Sequence, residues 1–112
     1  MIKESFQPED NFVQVGSVRL HYVDWGKNGP PLILLHGGRI TGRSWDAAAR
    51  GLSPFFHVIA LDARGHGDSD KPPRGYTYDQ RSQDFEGFLN SIGINHAYGI
   101  SHSTGAVTMA VH

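Results

Sequence analysis

The stretch Ser101-His102-Ser103-Thr104-Gly105 follows a short apolar run and precedes small, helix-compatible residues. A serine held on a tight turn between a strand and a helix projects its hydroxyl outward, and the N-terminus of the following helix favours developing negative charge. The turn brings the positions two before and two after the serine together, so both must be small. Gly105 meets that need; Ser101 meets it less well, with some added strain. Nucleophilic attack by Ser103 on an acyl carbon is the chemistry such a turn can do. A five-residue Ser/Gly stretch also arises by chance as a plain loop, and on these residues alone both readings stay open.

A second candidate is Leu35-His36-Gly37-Gly38-Arg39, again directly after an apolar run. Acyl transfer needs hydrogen-bond donors aimed at the oxyanion, and backbone amides on a glycine-rich turn can supply one. The amide of Gly38 is the first choice and that of Arg39 the second, with the amide of Thr104 as the other donor. His36 reads as an orienting or packing residue of this loop rather than a base, and Trp45 as packing for it. The third candidate, Asp62-Ala63-Arg64-Gly65-His66-Gly67-Asp68-Ser69, superficially resembles a phosphate loop. It lacks the Gly-Lys-Ser/Thr ending of a P-loop and the third glycine of a dinucleotide fingerprint. It reads as a structural turn in which Asp62 and Arg64 hydrogen-bond loop backbone.

These loops need a frame to carry them. Phe12 to Val15 and Arg19 to Trp25 alternate with period two around Gly16-Ser17, which predicts a hairpin of half-buried strands. Leu32 to Leu35 and Val58 to Leu61 are continuously apolar and short, as strands covered on both faces are. Between them a helix is expected over residues 45–52, with Ser44 as a candidate cap. A second helix is expected from Tyr78 to about Ile92, where Phe85, Phe88, Leu89 and Ile92 recur at spacings of three and four. Thr77 or Asp79 is its candidate N-cap and Gly93 its C-cap. His96 to Ile100 reads as a further parallel strand, followed by the start of a helix at Thr104.

The order is hairpin, strand, helix, strand, helix, strand, helix start: the front of an α/β sheet with helices on both faces. Ligands of such sheets bind beyond the C-terminal ends of the strands, where all three glycine-rich loops fall.

Composition narrows the partners. A chain of 112 residues is one domain at most, and a formal net charge of −1 gives no electrostatic reason to expect nucleic acid or an anionic membrane as partner. There is no cysteine, which excludes disulfides and thiolate chemistry. The polar opening segment, residues 1–11, is read as an extension without a signal peptide, and no apolar run is long enough to span a bilayer. A soluble, cytoplasmic protein is expected. The seven histidines are scattered, so neither a metal nor another cofactor is expected. Arg39, Arg43 and Arg50 read as a solvated face.

Taken together, His-Gly-Gly after one strand, Asp-x-Arg-Gly-His-Gly-x-Ser after the next and Ser-His-Ser-Thr-Gly after a third resemble the α/β-hydrolase superfamily, in order and in spacing. The likeness runs from about residue 12 to residue 112. The resemblance implies an α/β-hydrolase fold with Ser103 as nucleophile, Gly38 and Thr104 as oxyanion amides, and small ester or related acyl compounds as substrates. Serine at this position argues against the haloalkane dehalogenase and epoxide hydrolase branches. It leaves esterases, lactonases, C–C bond hydrolases, aminopeptidase-like members and cofactor-free haloperoxidase-like members. The missing Pro-Gly continuation sets the chain apart from proline iminopeptidases, and the missing third glycine from HGGG-type lipases.

Triad order in that superfamily is serine, then acid, then histidine. Only His112 is titratable after Ser103, and two to three helical turns from the elbow, at ~1.5 Å of rise per residue, it cannot serve as base. Residues 1–112 are therefore expected to form the N-terminal part of a hydrolase domain, truncated after the nucleophile turn. The last strand is expected to present an apolar edge that invites self-association. The competing expectation is a catalytically inactive fragment or interaction module; a nucleotide-binding domain is disfavoured by the incomplete glycine fingerprints.

Overall fold

The computed structural model describes residues 8–26, 28–36 and 45–101. Its frame is a five-stranded sheet. The strands are β1 (Glu9–Val15), β2 (Val18–Asp24), β3 (Pro31–Leu35), β4 (His57–Leu61) and β5 (Tyr98–Ser101), with α1 (Asp46–Leu52) and α2 (Tyr78–Ser91) between them. Spatial order is β1-β2-β4-β3-β5. The hairpin β1–β2 is antiparallel and joins β4 antiparallel, whereas β3 pairs in parallel with both β4 and β5.

The split between alternating and continuous apolar sequence follows from what covers each strand. Ile33, Leu35, Ile59 and Leu61 point to one face, where Phe85 and Phe88 of α2 close a core with Val18 and Leu20. Leu32, Leu34, Val58 and Ala60 point to the other, where Ala49 of α1 packs with Val23 and Trp25. Helices on both faces leave no polar side for β3 or β4, so both read as unbroken apolar runs. β1 lies at the sheet edge, and it keeps the alternation.

Differences from expectation are confined to boundaries. β1 begins at Glu9, because Glu9, Asp10 and Asn11 continue the ladder opposite Asp24, Val23 and Tyr22. β5 is displaced by one or two residues, to Tyr98–Ser101. α1 has Trp45 at its N-cap with no side-chain hydrogen bond, and Ser44 lies outside the described residues. At α2 the local signals hold: the Thr77 hydroxyl accepts from the Gln80 amide. The far end closes with Gly93 at φ 76°, its amide bonded to the Asn90 carbonyl and that of Ile94 to the Leu89 carbonyl. That doubled arrangement needs a left-handed residue at position 93, which only glycine adopts freely.

Candidate functional site

The parallel registers align three strand ends. Leu35 pairs with Leu61 on one side and with Ser101 on the other, so the loops after β3, β4 and β5 leave the sheet side by side. Ser103 follows two residues after Ser101, and Gly38 two residues after His36. Ser103, Thr104, Gly38 and Arg39 all lie outside the described residues. What the described residues define is the framework on which those two loops start.

His36, the first residue after β3, is buried, and its Nε2 accepts the Ala63 amide at 3.0 Å. Its ring also meets that of His66 at a centroid distance of 5.0 Å. An imidazole accepting a backbone hydrogen bond at Nε2 is fixed in orientation, in keeping with the orienting role expected from sequence. Trp45 packs against the core on the α1 face.

The loop after β4 is anchored from both sides. On the α2 side, Arg64 makes a two-pronged bond to Asp84, Nε to Oδ2 at 2.7 Å and NH2 to Oδ1 at 2.9 Å. Gln80 adds a third donor to Asp84 at 3.1 Å. Hydrogen bonding to Asp84 raises the Arg64 pKa above its ordinary value, against the opposing effect of burial and with further help from the Asp84 charge. On the hairpin side, Asp62 is buried and its carboxylate accepts from His21 Nδ1 at 2.7 Å and from the Asp68 amide at 3.2 Å. Ser69 Oγ accepts the His21 amide at 2.8 Å and donates to the Asp62 carbonyl at 2.6 Å. Gly67 sits at φ 53°, and a Cβ there would run into the Asp62 carboxylate. This loop is a structural turn, as its incomplete glycine patterns indicate. Both residues expected to bind loop backbone do so: Asp62 accepts the Asp68 amide, and Arg64 NH1 donates to the Arg74 carbonyl at 3.5 Å beside its shorter bonds to Asp84 on α2.

Three participants had not been singled out: His21, Asp10 and Asp84. Asp84 had a legible signal, since an arginine anchored at a strand end needs a carboxylate and α2 offers several. His21 and Asp10 had none, being polar residues in an alternating hairpin whose partners lie far off in the chain. A small cavity between the sheet and α2 is lined by Leu20, Leu35, His36, Leu61, Ala63, Arg81, Asp84 and Phe85. Among the described residues no cluster of three or more histidine, cysteine or acidic side chains is placed to hold a metal ion, and no helix is long and apolar enough to cross a membrane.

A mixed sheet with helices on both faces and loops gathered at its parallel strand ends is the front of an α/β domain. The sequence model of the Alpha/beta hydrolase family matches residues 32–112, and the chain belongs to that family. A non-heme chloroperoxidase from Streptomyces lividans is 36% identical over 93 residues, 81% of this chain and 34% of that protein. Epoxide hydrolase 3 from Mus musculus is 36% identical over 97 residues, 84% of this chain and 26% of its own length. Among solved structures, E-2-(acetamidomethylene)succinate hydrolase superposes with a TM-score of 0.86 at 30% identity, covering 92% of this chain and 38% of the other. The chain thus spans about a third of the length of these relatives and corresponds to their N-terminal portion.

Proposed function

We propose that the chain is the N-terminal portion of a serine hydrolase that acts on small ester or related acyl substrates through an acyl-enzyme. Ser103 is the nucleophile in this reading, and the amides of Gly38 and Thr104 receive the oxyanion. The observation that carries it is a serine, flanked by Ser101 and Gly105, two residues beyond the end of a strand that lies beside the one leading into His36-Gly37-Gly38. A hydroxyl nucleophile favours acyl transfer over the alkyl-ester route open to an aspartate. Oxyanion donors without the rest of a triad would leave about 10³-fold over water. A cytoplasmic location and a small-molecule substrate belong to the same proposal.

A fluorophosphonate probe applied to the purified chain tests it. Slow labelling that disappears in Ser103→Ala is expected. No labelling, or labelling that Ser103→Ala leaves unchanged, would overturn catalysis by this chain.

A second reading is an inactive hydrolase fragment that associates with itself. The exposed edge strand favours it: Tyr98 is 63% and Ile100 41% exposed on β5. A parallel strand with one open side and apolar side chains is a template for further pairing.

A further inference from the structure

Two acidic side chains far apart in sequence converge on one buried ring. His21 is 1% exposed, with Nδ1 2.7 Å from Asp62 Oδ2 and Nε2 2.8 Å from Asp10 Oδ1. Each ring nitrogen therefore has a carboxylate oxygen within hydrogen-bonding distance. Asp10 and Phe12 share a face of β1, and Phe12 lies directly opposite His21 in the ladder. The Phe12 ring meets His21 in a tilted arrangement at 5.1 Å, and the Arg19 guanidinium lies over the Phe12 ring, 4.1 Å from its centroid. Asp62 then leads straight into Ala63, whose amide donates to His36 Nε2. A continuous run of hydrogen bonds and one covalent step therefore joins a carboxylate on the outermost strand to the residue that precedes Gly37-Gly38.

We infer that His21, with Asp10 behind it, is a positioning residue for His36. The inference rests on the serine-hydrolase reading for the importance of His36, which leads into Gly37-Gly38 in the sequence. Two carboxylates on one imidazole hold the ring along a fixed line. The ring holds Asp62, and Asp62 sets the direction of the Ala63 amide that orients His36. Asp10 contributes no core packing, since its side chain is 61% exposed at the sheet edge. Its contribution is the outer end of this line.

Amide hydrogen exchange on the full chain, compared with Asp10→Ala and Asp10→Asn, tests the inference. In Asp10→Ala the Ala63 and Asp68 amides should exchange about tenfold faster, the scale of one lost hydrogen bond, while the Ile59 and Ala60 amides of β4 stay as they were. Asp10→Asn keeps an acceptor opposite Nε2 and should restore the parent pattern. The inference is overturned by an unchanged Ala63 amide, by β4 amides that speed up in step with it, or by Asp10→Asn behaving like Asp10→Ala. Fluorophosphonate labelling run in parallel separates the two readings. A parent chain that is never labelled at Ser103 removes catalysis by this chain, whereas the exchange pattern decides the positioning line by itself.

Discussion

Tyr22 shows how one side chain ties the sheet to solvent conditions. It packs against the α2-side core and meets Phe88 edge-on at 5.1 Å. Burial first, then the charges of Asp24 and Glu9, raise its pKa above the ordinary 10.0. The unfolded chain releases this proton at a lower pH than the folded one, so the folded state binds more protons above the ordinary value. Stability from Tyr22 is thus fully present below about pH 10 and lost as pH rises from there through the raised folded value. Urea titrations at stepped pH should show stability falling above that point, and Tyr22→Phe, which keeps the ring, should flatten that part of the slope. At this scale the orienting place of His36 and the structural turn at Gly65 to Gly67 were legible because their signal is local. His21 was not, because its partner Asp62 lies 41 residues away, and nothing in an alternating strand marks one polar position as the buried one.

At the scale of elements, α2 is the best determined. Its core residues Phe85 and Phe88 fall on one stripe, and both of its ends carry their own stop signals in Thr77 and Gly93. Thr77→Ala removes the acceptor for the Gln80 amide and should cost about 1 kcal/mol in denaturant unfolding. A value near zero would mean that the first turn is held by tertiary contacts alone. α1 was harder to bound because no side chain caps it: its start follows from Ala49 and its neighbours Trp45 and Leu52 packing on the sheet. The limits of β5 shifted for a related reason. A strand exposed at Tyr98, Gly99 and Ile100 has no burial pattern to mark its ends.

For the whole molecule, the sheet order places β5 at one border and β1 at the other. β1 exposes Glu9, Asp10 and Gln14 beside Phe12, so charged and polar side chains accompany its one exposed ring. β5 carries Tyr98 and Ile100. If the second reading holds, association runs through β5, and Tyr98→Lys should shift sedimentation toward monomer while leaving the far-UV circular dichroism unchanged. The parallel architecture itself was legible, since the two unbroken apolar runs could only be strands covered twice. The order of strands was not, because pairing across β4 depends on where both helices cross.

That order has a cost during synthesis. β4 is the shared neighbour of β2 and β3, yet it comes after both in the chain. Until Leu61 has been added, the hairpin and β3 have no common partner. At roughly 5–20 residues per second, the interval between Asp24 and Leu61 lasts about two to seven seconds on the ribosome. Until β4 joins, Leu20, Val23 and Ile33 lack the strand that completes their cores, and a nascent-chain chaperone that recognises short apolar segments would meet this protein before the sheet closes over β4.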